Sequence, residues 1–139
     1  MQIESLYNIY KQYPLISTDT RNIKEQSIFF ALKGANFNGN AFASQALEQG
    51  AVYVVVDEEE FIQGEKYILV EDVLKALQDL ALHHRKQLQI PVIGITGTNG
   101  KTTSKELVYS VLSQQFRTYA TQGNLNNHIG VPLTLLSID

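Results

Sequence analysis

The sequence predicts an α/β fold in two parts: a small mixed α/β domain over residues 1–88, then, over residues 89–139, the opening of a parallel-sheet domain built on a phosphate-binding loop. Three observations predict it. Short apolar runs bounded by Gly, Pro or acidic residues alternate with stretches of helical periodicity, the pattern of βα units rather than of a bundle or a sandwich. The run Val92–Ile95 leads directly into Gly97-Thr-Asn-Gly-Lys-Thr-Thr103, and that turn leads into a further helical pattern. The chain has 139 residues, 44% hydrophobic and 18% charged, enough to bury a core.

Taken in order, Ile3, Leu6, Tyr7 and Tyr10 share one face of an opening helix that Pro14 bounds. Leu15–Thr18 reads as a short strand leading into Asp19-Thr20-Arg21. Ser27–Lys33 is apolar enough for a central strand, ended by Gly34, and Asn36–Asn40 is a polar loop with an Asn-Gly turn. Ala43, Ala46 and Leu47 mark a helix that Gly50 closes. Ala51–Val56 and Tyr67–Val70 are third and fourth strands, and the acidic Asp57-Glu-Glu-Glu60 between them reads as a solvated turn, since adjacent carboxylates do not converge on one metal ion. Asp72 caps a helix with Val73, Leu77, Leu80, Ala81 and His84 on its apolar face, ending near Gln89 before Pro91. His83 and His84 are helix neighbours and point apart, so they read as structural rather than as a ligand pair.

Val92–Ile95 reads as the first strand of a second sheet. Gly97 and Gly100 allow a sharp turn through positive φ that presents backbone N–H groups to phosphate oxygens. Leu107, Val108, Val111 and Leu112 then recur at helical spacing, so the loop opens a helix whose positive dipole end faces the anion. Strand, Gly-rich turn, Lys-Thr and helix is the context a phosphate-binding loop requires. The strict pattern has Gly where this chain has Ile95, with Gly97 closer in, so the loop is a tightened variant. Its chemistry survives the change. Amides of Gly97, Thr98, Asn99, Gly100 and Lys101 would cradle the phosphates of ATP, the Lys101 ammonium would neutralise β/γ charge, and the Thr102 hydroxyl would ligate Mg²⁺, with Thr103 completing the motif.

Composition excludes several classes. A net charge of −3 argues against a nucleic-acid partner, which needs clustered Lys and Arg. His83-His84-Arg85-Lys86 is the densest basic spot and reads as charge complementing a helix C-terminus. The absence of Cys removes disulfides and thiolate metal sites. Met1-Gln-Ile-Glu-Ser5 lacks the regions of a signal peptide, and no apolar run approaches spanning length, so a cytoplasmic protein without membrane insertion is expected.

Beyond the loop helix, Arg117–Thr121 reads as another strand, followed by Thr121-Gln-Gly-Asn-Leu-Asn-Asn-His-Ile-Gly-Val-Pro132. Ligands of open α/β sheets bind outside the carboxyl ends of strands, so Asn124, Asn126 and Asn127 would sit beside the phosphates. The other reading is an Asx-rich turn capping a helix begun by Pro132.

These residues carry a resemblance. Gly97–Thr103, with its missing first Gly, resembles the ATP loop of the Mur ligase family, and Thr121–Pro132 is similar to the branch that adds D-alanyl-D-alanine to UDP-N-acetylmuramoyl-tripeptide. Ser17-Thr-Asp-Thr-Arg21, Phe29–Gly34 and Phe37-Asn-Gly39 are similar to that family's N-terminal domain, so the resemblance takes in essentially the whole chain. It implies an ATP- and Mg²⁺-dependent amide ligase of peptidoglycan synthesis, acting as a monomer, with the UDP-linked tripeptide and D-alanyl-D-alanine as substrates. It also implies that Lys101 is catalytic, that Asn124, Asn126 and Asn127 position the muramoyl peptide, and that Thr18, Thr20 and Arg21, with Gly34, Ala35 and Asn36 opposite, hold uridine and diphosphate. Asn40 stands where members of the family often carry His, which puts a pyrophosphate role there in doubt. Two sheet strands are too few for a stable second domain, so the chain is expected to be an N-terminal portion without ligase activity of its own. The alternatives are another ligase of the superfamily, such as one extending folate with glutamate, a generic phosphate-loop kinase or GTPase, and a non-catalytic UDP-sugar-binding module.

Overall fold

A computed structural model describes residues 2–123 and 125–139. Its centre is a four-stranded parallel sheet in the order β1 (Leu15–Ser17), β2 (Ser27–Phe30), β5 (Tyr53–Val56), β6 (Tyr67–Leu69). Register pairs Ile16 with Ile28, Phe29 with Val54 and Val55 with Ile68. Strand alternation divides the core. Ile28, Phe30, Val55 and Ile68 face α1 (Ile3–Gln12) and α3 (Val73–Gln87), where Leu6, Tyr10, Leu77 and Leu80 meet them. Phe29, Val54 and Val56 face the other way, onto Ala43 and Ala46 of the short α2 (Ala43–Glu48). The sheet is therefore covered on both faces, which is why β2 is buried at every position.

Local chemistry sets the boundaries. The Asp72 carboxylate accepts the Lys75 N–H at 2.7 Å and starts α3, while His84, Arg85 and Lys86 occupy its last turn. Gly50, at φ +109°, lets the chain leave α2 and return to β5. The predicted strand Ser27–Lys33 stops at Phe30. Residues 31 and 32 stay buried, and the chain then forms a two-stranded antiparallel hairpin, β3 (Lys33–Gly34) and β4 (Phe37–Asn38), with Ala35-Asn36 at its tip. The Asn-Gly pair is not that turn. Asn38 instead caps a 3₁₀ turn over Gly39–Phe42 through its side-chain oxygen and the Asn40 N–H.

The strands predicted at Val92–Ile95 and Arg117–Thr121 are not formed, although the helix between them, α4 (Lys101–Leu112), is. Val92 and Ile93 are more than half exposed. A parallel strand gets its hydrogen bonds from neighbours, and neither segment has a strand beside it, so apolar character alone does not make a strand here. The last helix, α5 (Gly130–Leu135), starts two residues before the predicted Pro132 and docks on α3. Leu136 joins the core between α1 and α3; the Tyr10 hydroxyl donates to the Leu136 carbonyl at 2.8 Å, and His84 Nε2 donates to the Ile138 carbonyl at 2.8 Å. His84 Nδ1 lies 3.3 Å from the Tyr7 hydroxyl, so both ring nitrogens serve packing, as expected of structural histidines. Burial, with smaller contributions from Tyr7 and Asp139, pushes the Tyr10 hydroxyl up to about 12. Among the described residues no helix is long and apolar enough to cross a membrane.

Candidate functional site

Because all four strands of the sheet run parallel, everything that follows a strand emerges at one edge. Thr18, Thr20 and Arg21 follow β1; the hairpin with Gly34, Ala35 and Asn36 follows β2; Asp57 and Glu58 follow β5; Glu71 and Asp72 follow β6. The first two loops succeed neighbouring strands, so the residues expected to face each other do share an edge, the position at which open α/β sheets bind ligands. Asp19 caps the 3₁₀ turn Thr20–Asn22, accepting the Arg21 N–H at 2.9 Å, and its carboxylate also takes the Arg21 guanidinium at 2.6 Å. That bond holds the Asp19 carboxyl down at about 2. Gly34, Ala35 and Asn36 are exposed at the hairpin tip.

The hairpin is held by a polar network whose two carboxylates, Asp57 and Glu58, the sequence had placed in a solvated turn. The Lys33 ammonium sits 2.8 Å from Asp57 and 2.7 Å from Glu58. The Asn40 amide donates to Asp57 at 2.8 Å and accepts the Asp57 N–H at 3.0 Å, and the Asn38 amide donates to Glu58 at 2.9 Å. Asp57 also takes the Val73 N–H at 3.3 Å, reaching the first turn of α3. Burial opposes the Asp57 charge, yet the bonds from Lys33, Asn40 and Val73 outweigh it and hold its pKa below the usual carboxylate range. Hydrogen bonds from Lys33 and then Asn38 do the same for Glu58, and the bonds to Asp57 and Glu58 raise Lys33. Asp57-Glu-Glu-Glu60 is thus only partly a solvated turn, because its first two carboxylates fasten the hairpin. Asn40, at 1% exposure, is a neutral member of that network and not a surface group, so it is not presented to a pyrophosphate. A sequence signal existed: a Lys seven residues before an Asn, with two acids at a following strand's end. Adjacency of charges reveals nothing about burial.

The second cluster surrounds α4. Gly97 and Gly100 take φ of +146° and +76°, the positive values that the loop reading required, and Gly100 is the residue from which α4 begins. A Cβ on Gly100 would meet nothing within 4 Å, so the glycine answers a backbone need and not crowding. Lys101 curls back to donate to the Gly97 carbonyl at 2.5 Å, while Thr98, Asn99, Thr102 and Thr103 lie exposed around the start of the helix. The exposed Thr102 hydroxyl would offer one oxygen ligand to a hard divalent ion, while the N–H groups opening α4 would address an anion. One turn on, the Lys105 ammonium donates to the carbonyls of Thr121 at 2.5 Å and Gly123 at 3.0 Å. Sequence reasoning passed over Lys105, because main-chain acceptors have no signature in the side chains.

Of the three asparagines, Asn126 is exposed in the loop between α4 and α5. Asn127 caps α5: its Oδ1 accepts the Ile129 and Gly130 N–H groups at 3.1 and 2.7 Å, which is the Asx-turn alternative. Asn124 lies outside the described residues. Among the described residues no group of three His, Asp or Glu side chains gathers as a metal cluster.

The profile described as "Mur ligase family, catalytic domain" matches residues 12–94, and "Mur ligase middle domain" matches residues 95–139. The UDP-N-acetylmuramoyl-tripeptide--D-alanyl-D-alanine ligase of Bacillus subtilis is 45% identical over 125 residues, 88% of this chain and 27% of its own length. The ligase of the same name from Escherichia coli is 41% identical over 88% of this chain. The crystal structure of MurF from Acinetobacter baumannii superposes with a TM-score of 0.81 at 39% identity, over 89% of this chain and 27% of that one. MurF ligase from Thermotoga maritima, solved with ADP, gives 0.79 at 31% identity. The chain spans about a quarter of the length of the curated relatives it matches. Profiles, curated relatives and solved structures converge, and the chain belongs to the Mur ligase family.

Proposed function

We propose that the chain is the substrate-gripping and phosphate-binding part of an ATP-dependent ligase that joins D-alanyl-D-alanine to UDP-N-acetylmuramoyl-tripeptide in cytoplasmic peptidoglycan precursor synthesis. One observation carries the reading: the alignment with the D-alanyl-D-alanine ligase of Bacillus subtilis takes in 88% of the chain at 45% identity. The division of labour follows the two clusters, with residues 1–88 holding the UDP end and residues 89–139 holding ATP.

In the proposed reaction the terminal carboxylate oxygen of the tripeptide attacks the γ-phosphorus of ATP, forming an acyl phosphate and releasing ADP. The neutral amine nitrogen of D-alanyl-D-alanine then attacks the acyl carbon, the C–O bond breaks to release phosphate, and the proton lost from nitrogen leaves with the phosphate or to water. Two anions must first be brought together, so the chain's task is charge neutralisation and alignment. The Lys101 ammonium moves from the Gly97 carbonyl to phosphate oxygens, and the amides of Gly97–Lys101 and the dipole of α4 address the same charge. Thr102 would hold Mg²⁺ through its hydroxyl, and the ion would supply further neutralisation of phosphate charge. Asn126 orients the peptide carboxylate through its amide; Asn127 shares its Oδ1 with the cap of α5 and keeps only its NH₂ for a ligand. Thr18, Thr20 and Arg21 and the tip Gly34-Ala35-Asn36 present hydroxyls, a guanidinium and main-chain N–H groups to uridine and diphosphate, and Arg21 exchanges its Asp19 partner for phosphate.

Isothermal titration of the chain with the UDP-muramoyl-tripeptide, with UDP and with Mg-ATP, each repeated on Lys101→Ala, tests this. The reading expects the UDP compounds to bind both proteins alike, and any Mg-ATP binding to disappear in Lys101→Ala. ATP binding that depends on Lys101 with no binding of any UDP compound overturns the assignment of residues 1–88 and the peptidoglycan reading with it. A second reading, a UDP-sugar-binding module without catalysis, is favoured for the chain alone by one observation: its whole parallel sheet lies within residues 15–69, and the phosphate loop has no strand behind it. UDP binding without ATP binding is its signature.

A further inference from the structure

The geometry points to Lys105 as a positioning residue that pins Thr121 and Gly123 one helical turn from Lys101, so that Asn126 and the Lys101 ammonium address one anionic ligand. The inference rests on the proposed reading of residues 97–103 as a nucleotide loop. Residues four apart on a helix are neighbours on one face, so whatever Lys105 holds is held beside Lys101. Its ammonium has three donors and three acceptors: the carbonyls of Thr121 at 2.5 Å and Gly123 at 3.0 Å, and Glu106 at 2.9 Å. The side chain is only 15% exposed, on a helix that contributes no residue to the buried core.

An exposed Glu on the adjacent residue does not account for that burial, since surface ion pairs contribute little. The two carbonyls do. They close a bridge from α4 across 16 and 18 residues of sequence, through charge-assisted hydrogen bonds. The far end of the loop is fixed independently: Asn127 caps α5, and Gly130 packs so closely on Leu125 that a Cβ there would lie 2.7 Å from the Leu125 carbonyl. The loop is therefore tied at both ends, with Asn126 exposed between the ties. With two donors on main-chain carbonyls and the third on Glu106, Lys105 acts through the loop and does not itself touch phosphate.

The test compares ¹⁵N-labelled chain with Lys105→Met, which keeps the stem and removes the donors, and with Lys105→Arg. Backbone order parameters come first, without nucleotide. Those of Gly123, Leu125 and Asn126 are expected to fall from about 0.85 to below about 0.6 in Lys105→Met, with recovery in Lys105→Arg. Resonances of α4 and the unfolding midpoint stay in place, because the freed carbonyls are rehydrated. Mg-ATP is then added. In the native chain the amides of residues 97–101 and the Asn126 side-chain NH₂ shift together; in Lys105→Met only the loop amides shift. Unchanged order parameters in Lys105→Met overturn the inference, as does an affinity loss equal to that of Lys101→Ala, which makes Lys105 a direct ligand. If Mg-ATP shifts nothing in any protein, the nucleotide reading fails, while the order parameters still decide the clamp.

Discussion

Asp57 takes an ammonium, a side-chain amide and a helix-opening N–H on one carboxylate, and Lys33 bridges it to Glu58. Removing Lys33 leaves a largely buried carboxylate without its counter-charge, the costly half of breaking a pair. Lys33→Met is expected to destabilise the chain at pH 7 and to loosen the tip Gly34-Ala35-Asn36, weakening UDP binding without touching the ligand. The pH dependence fixes the cause. Asp57 and Glu58 have depressed folded-state pKa values, so their contribution is full above the unfolded carboxylate values, about 3.9 and 4.3, and is lost as pH falls through the folded ones. Lys33 is raised, so its share is full below about 10.4 and is lost only in stronger alkali. Denaturant unfolding of native and Lys33→Met proteins should therefore differ at pH 7 and converge as pH falls through the depressed folded-state values, below the ordinary carboxylate range. A difference that persists in acid assigns the effect to lost packing of the lysine stem.

At the scale of elements, what could be read in advance was whatever the chain decides locally. The helix α3 carries its own start in Asp72 and its own apolar face in Val73, Leu77 and Leu80, and its observed bounds fall within two residues of those expected. Asp72→Ala should cost about 1 kcal/mol, measured as a shift in the denaturant midpoint without a change in slope. A loss within error would mean that packing against α1 and α5 sets the start of α3 by itself. The turn at Gly97 and Gly100 was legible for the same reason, since positive φ at both positions is a property of glycine. Val92–Ile95 was misread because a strand's hydrogen bonds belong to its neighbours, and hydropathy records only what a segment would bury. Asp57 and Lys105 escaped notice by the same logic: one is buried by a strand end and a helix start 16 residues apart, the other bonds carbonyls. Of the candidate site, the residue types were visible, while the ties that hold them in place were tertiary.

Across the whole molecule, burial is divided unevenly along the chain. Residues 3–87 form the doubly covered sheet, and residues 129–138 return to it through Leu136, Ile138 and the carbonyls held by Tyr10 and His84. Among the described residues between them, none contributes a buried side chain to either core: Leu107 is 64% exposed, Val111 71% and Phe116 61%. A helix of about twelve residues without a packed face is marginal in water, so α4 is held mainly by its own hydrogen bonds. Stability should then be distributed in two tiers, with opening of α4 costing far less than global unfolding. Hydrogen exchange resolved by residue is expected to show Leu80 in α3 and Val55 in β5 exchanging only through global unfolding, with Leu136 joining them despite its distance in sequence. Val108 and Tyr109 should exchange faster by orders of magnitude, and that gap measures the first tier. Equal protection of Tyr109 and Leu80 would mean that the apolar side of α4 is covered. If that protection disappears on dilution, the cover is a second copy of the chain; if it survives, residues 91–116 pack against this copy's own sheet and the two-tier division is wrong.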